Sequence, residues 1–376
     1  MTIVLAVLFG CFLAYANGAN DNFKGVATLY GSGRATYRGA LAIAAVAQVL
    51  GSIVSLIVAQ GLLATFSGRG LVPDAVVAMK AFTLSVGLAA ALTVLVATIL
   101  GFPISTTHAL TGALAGAGLW ASSSGVDLSK LQSTFLAPLL LSPLVSAGGG
   151  ALAYLAFRRL TVVSGIERET CICVGTEVIE IVPSGVAPAQ ALSAFQARTV
   201  PTMSISTRVG CVERYRGNVF GVRASSLLDG FHYATGAAVC FARALNDTPK
   251  IAAVLLVAGA LSPSFAIAAV TGAMVMGGVL NARKIAETMS HKVTTMNAEQ
   301  GFSANVVTAA LVIVASRLGL PVSTTHVSVG SLFGIGAVTG QVQWRVVVQI
   351  LFAWITTVPV AALLAAVLFG IFRQLF

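Results

Sequence analysis

Long apolar runs separated by short polar breaks make up most of this chain. The runs are Ile3–Tyr15, Gly39–Ala64, Ala75–Leu100, Phe135–Phe157, Ile251–Leu280, Ala304–Ser316 and Val346–Phe372. Several are longer than the ~20 apolar residues that carry a helix across a bilayer. None shows the alternation over ~10-residue segments that marks a membrane β-barrel. The pattern predicts an all-α polytopic membrane protein. Polar residues enter the apolar background in a few tight clusters, and the clusters come in pairs.

PISTTHALTG at 103–112 returns as PVSTTHVSVG at 321–330, an offset of 218. Gly101, Pro103, Ser105, Thr106, Thr107, His108, Gly112 and Gly116 fall on Gly319, Pro321, Ser323, Thr324, Thr325, His326, Gly330 and Gly334. Upstream, at an offset of 226, Asn20, Asp21 and Lys24 fall on Asn246, Asp247 and Lys250. One indel between the motifs accounts for the difference. The order is the same in both halves, as duplication requires. The expected organisation is therefore a first membrane repeat at 1–157, a linker at 158–225 and a second repeat at 226–376. Crossings are expected at 2–30, 39–64 and 133–157, with a hairpin over 76–121. Their counterparts are 226–257, 263–282 and 346–373, with a hairpin over 299–339.

Basic residues orient these segments. Arg34, Arg38, Arg283, Lys284, Lys292, Arg345 and the arginines of the linker fall on one side, against Arg69, Lys80, Lys130 and Arg373 on the other. The positive-inside rule makes the first side cytoplasmic. Three crossings per half is an odd number, so the second half enters upside down. That is the inverted-topology repeat common among secondary transporters. Both termini are then expected outside a cytoplasmic membrane, with 158–225 in the cytoplasm. The β-branched stretches Cys171–Val182 and Met203–Glu213 predict a small, β-rich insert there.

Composition agrees: 57% of residues are hydrophobic and 9% charged, where soluble domains carry about 25% charged. Mean hydropathy is +0.93. The net charge of +10 sits mostly in loops, which argues against nucleic acid as a partner. Cys11, Cys171, Cys173, Cys211 and Cys240 are expected to form no disulfide framework. A zinc site in the linker lacks a histidine to complete it. Ala14-Tyr15-Ala16 imitates a signal-peptidase site, but no basic region precedes it, so the first apolar run reads as a transmembrane helix.

Proline at 103 and 321 breaks a helix, helped by Gly101 and Gly319. Ser105 and Ser323 then stand as N-caps of a new one. Each motif thus predicts a hairpin tip at a helix N-terminus, where free N–H groups and partial positive charge favour an anion. Six hydroxyls from two such tips suit a small tetrahedral oxyanion. His108 and His326 lie one turn further on, either as buried imidazoles bonded to carbonyls or in a substrate or proton role. Asp21 and Asp247 are intramembrane acids, functional by default. GAND at 18–21 and proline at 249 suggest unwound backbone, whose oxygens with those of Asn and Asp make a hard-cation site. A simple Asp–Lys pair within one helix is the plainer alternative. A bare carboxylate would repel an oxyanion, so cation-coupled anion binding follows. Asp229, His232, Arg243 and Arg317 have no repeated counterpart and rank lower; Asp229 with Arg243 is a candidate structural pair.

GAND at 18–21, ALND at 244–247, PISTTH at 103–108 and PVSTTH at 321–326 resemble the inorganic phosphate transporter (PiT) family. The resemblance covers nearly the whole chain outside 158–225. It implies uptake of inorganic phosphate coupled to a cation, Na+ before H+, in a likewise inverted repeat and a homodimer. Carried over by position, it makes Ser105, Thr106, Thr107, Ser323, Thr324 and Thr325 phosphate ligands. Asn20, Asp21, Asn246 and Asp247 become cation ligands, with Ser105 and Ser323 sharing that ligation and Asp21 and Asp247 holding Na+. Gln48 and Asn305 align with membrane glutamates of animal members and are added to the phosphate set; as neutral amides they take up no proton. GANDNFKG also departs from the family's more usual GANDVANA. The short central loop suggests a prokaryotic source.

Alternatives remain open at this level. Proton coupling, or another oxyanion such as sulfate, fits the same residues. An enzyme is disfavoured, because Ser105 with His108 lacks a third orienting residue and is duplicated. No cofactor is implied beyond the coupling ion. A channel would conduct without sodium or saturation. No GxxxxGK[ST] stretch supports an ATP-driven pump.

Overall fold

The computed structural model describes residues 2–122, 125–166, 169–181, 196–215, 219–259, 261–293 and 296–376. Part of the expected insert, at 167–168, 182–195 and 216–218, lies outside the described residues. The long helices are α1 (Thr2–Asp21), α2 (Tyr37–Val58), α3 (Lys80–Leu100), α4 (Thr106–Ala121), α5 (Ala137–Ser164), α6 (Ala224–Val257), α7 (Pro263–Asn281), α8 (Ala298–Arg317), α9 (Thr324–Thr339) and α10 (Trp344–Leu375). Among the described residues, seven helical stretches are long and apolar enough to cross a membrane. Large apolar side chains stay exposed along them, among them Ile53 and Ile57 on α2 and Phe352, Ile355 and Leu363 on α10. A contiguous apolar surface of this kind is what lipid tails require.

Two compact units divide the chain, one of Met1–Leu155 with His232–Phe376, the other of Ala156–Phe231. In the first, both expected hairpins are present: α3 turns into α4, and α8 into α9. Gly101 (φ 82°) and Gly319 (φ 68°) take the left-handed conformation that ends each first leg, a geometry glycine adopts without Cβ strain. Ser105 and Ser323 are extended N-caps, and each Oγ accepts from the backbone N–H three residues on, His108 N and His326 N, at 3.1 Å.

The repeated glycines explain how the second legs pack. A Cβ on Gly112 would lie 2.4 Å from Val358 O, and one on Gly116 2.1 Å from Ala362 O, both on α10. A Cβ on Gly330 would lie 2.6 Å from Pro143 O, and one on Gly334 1.9 Å from Ala147 O, both on α5. Each hairpin's second leg thus lies backbone to backbone against the last helix of the other half, as small residues permit between membrane helices.

The two halves differ where both were expected to unwind. α1 stops at Asp21 and the chain turns through 22–26 before a short helix Ala27–Gly31. α6 instead runs unbroken through Asn246, Asp247 and Pro249. Proline removes one N–H from a helix but is compatible with helical φ, and the buried turns on both sides hold α6 together.

The second unit contains a three-stranded antiparallel sheet of β1 (Thr170–Ile181), β2 (Gln196–Thr207) and β3 (Val219–Arg223), in the order β2-β1-β3. A short helix, Arg208–Arg214, follows β2. Cys173 and Cys211 form a disulfide, contrary to the expectation of none. Cys171, one pleat from Cys173 on the same face of β1, is buried beside them with Tyr215. Cys173 and Cys211 are 38 residues apart in sequence, and the pairing of β1 with β2 together with the helix that follows β2 brings them together.

Candidate functional site

The two Asn-Asp pairs each fasten one hairpin break. Asn20 Nδ2 donates to Thr98 Oγ1 (2.9 Å) and Phe102 O (3.0 Å), and its Oδ1 accepts from Ile104 N (3.2 Å). Asn246 Nδ2 donates to Val322 O (3.2 Å), and its Oδ1 accepts from Ser316 Oγ (3.2 Å). Thr98 and Ile104 correspond to Ser316 and Val322 under the same offset of 218, so the arrangement is duplicated down to its partners. The amides give backbone groups freed by the proline the hydrogen bonds they need when buried.

Asp21 Oδ2 accepts from Thr106 Oγ1 (3.1 Å) and Asn17 Nδ2 (2.7 Å). Asp247 Oδ2 accepts from Thr324 Oγ1 (3.4 Å), with Arg243 Nη1 at 4.0 Å. Each acid therefore faces the first threonine of its own half's motif. The second threonines cross over. Thr107 Oγ1 donates to Val322 O (3.2 Å), and Thr325 Oγ1 donates to Ile104 O (2.7 Å). The two hairpin tips touch reciprocally. All six Ser and Thr of the motifs are buried, none more than 5% exposed, so the tips meet in a state closed to solvent.

Two lysines complete this contact. Lys24 Nζ donates to Asn20 Oδ1 (2.8 Å), Ile104 O (2.9 Å), Thr325 Oγ1 (2.6 Å) and Asp21 Oδ1. Lys250 Nζ donates to Thr107 Oγ1 (2.7 Å), Val322 O (2.9 Å) and Asp247 Oδ1 (3.4 Å). The plainer alternative, a local Asp–Lys pair, is thus present, within α6 for Asp247 and Lys250 and across the turn after α1 for Asp21 and Lys24. It is also incomplete, because each ammonium reaches the tip of the opposite hairpin as well.

Arg243 was ranked low for want of a repeat, yet it is the largest fully buried side chain. It donates to Asn17 Oδ1 (3.2 Å), Asn22 Oδ1 (3.1 Å) and Gln48 Oε1 (2.7 Å). Asp247 Oδ2 lies 4.0 Å from its Nη1, whereas the suggested Asp229 stands fourteen residues earlier on the same unbroken helix, about 21 Å along its axis at 1.5 Å per residue. The offset of 226 aligns Arg243 with Asn17, a signal that could have drawn attention to both. Arg243 Nε, Gln48 Nε2 and Asn22 Nδ2 are buried donors without a hydrogen-bond acceptor. Gln48 thus joins the Arg243 cluster. Asn305 goes elsewhere, donating to Thr28 Oγ1 (2.9 Å), which also bonds His232 Nε2 (3.0 Å). Neither amide makes a hydrogen bond to a Ser-Thr-Thr tip.

His108 and His326 meet with ring centroids 4.4 Å apart, and His326 stacks on Trp354 at 3.7 Å. His326 Nδ1 pairs with Leu139 O (3.1 Å), the carbonyl partner anticipated for a buried imidazole. Trp354 donates to Pro103 O (3.1 Å) and so pins the first break to α10. Nothing in the local sequence marked this tryptophan.

Residues 17–365 match the model of the phosphate transporter family. The chain belongs to the phosphate transporter family. Members of this family are transporters, not enzymes, and the membrane-spanning fold described above is theirs. A protein of Thermococcus kodakarensis named as a candidate phosphate permease is 29% identical over 405 residues, spanning 98% of this chain and 97% of its own. Inorganic phosphate transporter 2-1 of Arabidopsis thaliana, a chloroplast protein, is 27% identical over 98% of this chain and 72% of its own. A solved structure described as the sodium-dependent phosphate transporter superimposes over 100% of both chains with a TM-score of 0.73 and 21% identity. At that identity the likeness speaks for the fold.

Proposed function

We propose that this chain imports inorganic phosphate by symport with a cation, holding the phosphate at the meeting point of the two hairpin tips. The observation that carries the reading is the reciprocal contact of two serine-capped helix N-termini through Thr107 and Thr325. Ser105, Thr106, Thr107, Ser323, Thr324 and Thr325 supply hydroxyls there, and the starts of α4 and α9 supply N–H groups and positive potential. The tip hydroxyls are buried and bonded to protein partners in this closed state, so loading requires the hairpins to part. Arg243, with the unfilled donors of Gln48 and Asn22, supports a second set of phosphate contacts once they do.

For the cation, Asn20 with Asp21 and Asn246 with Asp247 are the proposed ligands. The description of the structural neighbour as sodium-dependent and the oxygen-only donor sets favour Na+. H+ is the other reading, favoured by the lysines that already fill those sets. The duplicated bonding supports a repeat, and the loop charges support its inversion in a cytoplasmic membrane, with both termini outside and the sheet-bearing insert inside. Exchange of last helices between halves supports hairpins that move against a scaffold; a homodimer is what the family resemblance implies.

The test is uptake of radiolabelled phosphate into liposomes holding the purified protein, under sodium, potassium or pH gradients at fixed voltage. Saturable accumulation that excess unlabelled phosphate removes and equal sulfate does not supports the reading. Equal competition by sulfate, or no accumulation by folded protein under any gradient, would sink it.

A further inference from the structure

The oxygen shells that hold the Lys24 and Lys250 ammonium groups are of the kind that would also suit a hard metal cation. Lys24 Nζ is ringed by an amide oxygen, a carboxylate oxygen, a backbone carbonyl and a hydroxyl, from Asn20, Asp21, Ile104 and Thr325. Every ligand is oxygen, and they come from α1 and both hairpin tips. That donor set is how proteins hold hard cations. Lys250 repeats it through Asp247, Val322 and Thr107. The lysines are 3% and 1% exposed, so water does not solvate these charges and the protein oxygens must.

We propose that the ammonium groups of Lys24 and Lys250 occupy the two seats that dissolved sodium would otherwise fill, so that sodium is not the cation that drives phosphate through this chain. The inference rests on reading the Asn-Asp pairs as the cation seats of a phosphate carrier. Three observations carry it. First, the lysine nitrogens hold oxygens of Asn20, Asp21, Ile104 and Thr325 in one seat and of Asp247, Val322 and Thr107 in the other, so an added ion would have to displace an ammonium to reach them. Second, a sodium ion in either seat would lie a few ångströms from an ammonium, and like charges repel strongly where water is excluded. Third, the substitution is paired: lysine stands at the same place in both halves, as it must if both seats are to be filled. The charge argument is unchanged, since each ammonium offsets its own aspartate and leaves the oxyanion facing a neutral seat beside Arg243. The tether also links the seats to closure, because each ammonium bridges its own half to the tip of the opposite hairpin.

The experiment has two readouts on the full-length protein. Binding of radiolabelled sodium to the purified, detergent-solubilised chain needs no assumption about the substrate. The wild type is expected to bind none above a choline background, and Lys24→Ala with Lys250→Ala to acquire saturable sodium binding. Phosphate uptake into liposomes is expected to be equal, within about twofold, in sodium and choline media. Leaving a buried carboxylate unpaired is costly, so uptake by either single variant should fall by about 100-fold or more. Added methylammonium, which restores the missing ammonium, or sodium itself, should recover it. Saturable sodium binding by the wild type would overturn the proposal, as would sodium stimulation of its uptake. Folded lysine variants that accept neither ion would overturn it too. The wild-type measurement decides even where the variants fail to fold. If no phosphate moves under any condition, the phosphate reading fails and sodium binding still judges this one.

Discussion

Consider Asp21→Asn, which changes one atom type and no shape. Asp21 is 1% exposed. Its oxygens accept from Asn17 (2.7 Å), Thr106 (3.1 Å) and the Lys24 ammonium. Asparagine keeps one acceptor and turns the other into a donor facing donors. Removing one partner of a buried ion pair costs about 3–5 kcal/mol. Lys24 keeps the oxygens of Asn20, Ile104 and Thr325, so the lower end applies, about 3 kcal/mol. Lys24→Met strands the carboxylate, with one hydroxyl and one amide still bonded to it, at a similar cost. The double variant strands neither charge. It should be destabilised by about 3 kcal/mol rather than the sum of about 6, a coupling well above the ~0.5 kcal/mol scatter of independent sites. The assay is the unfolding midpoint of the four purified proteins in detergent with increasing denaturing surfactant. Additive losses, with no coupling beyond that scatter, would refute the claim that this pair is what closes the tips.

Three further outcomes are expected. Gly334→Ala places a methyl 1.9 Å from Ala147 O and must push α9 off α5, so uptake should fall severalfold, whereas Gly148→Ala, with nothing within 4 Å, should leave it unchanged. Ser105→Ala and Ser323→Ala each remove an N-cap bond of 3.1 Å and should each cost about 1 kcal/mol in unfolding midpoint, with a rise in KM for phosphate. Thiol titration of the denatured protein should count three free cysteines, Cys11, Cys171 and Cys240, and all five of the sequence after reduction; five before reduction would rule out the Cys173–Cys211 bond.

The apolar runs by themselves determined that this chain is helical and built to span a bilayer. The repeat determined that its polar chemistry comes in two sets. Gly101-to-Ser105 and Gly319-to-Ser323 also determined the two hairpin breaks, because a left-handed glycine, a proline and a capping serine act within a few residues of backbone. Local rules fell short at Asn246–Pro249, where packing on both sides kept α6 helical against a proline. They fell short again in the insert, where strand pairing and the helix that follows β2 make neighbours of the cysteines. For the candidate site the sequence proposed Asn20, Asp21, Asn246, Asp247 and the Ser-Thr-Thr residues, with Gln48 and Asn305 added to the phosphate set by resemblance. Tertiary structure sent those two to Arg243 and to Thr28. It also decided what the lysines do. A lysine three residues after an aspartate reads as a local ion pair, and nothing in that spacing says which distant carbonyl and hydroxyl complete its shell. Ile104 and Val322 act through backbone oxygens, which carry no residue signature. They meet Lys24 and Lys250 only because the two broken hairpins bring their tips together.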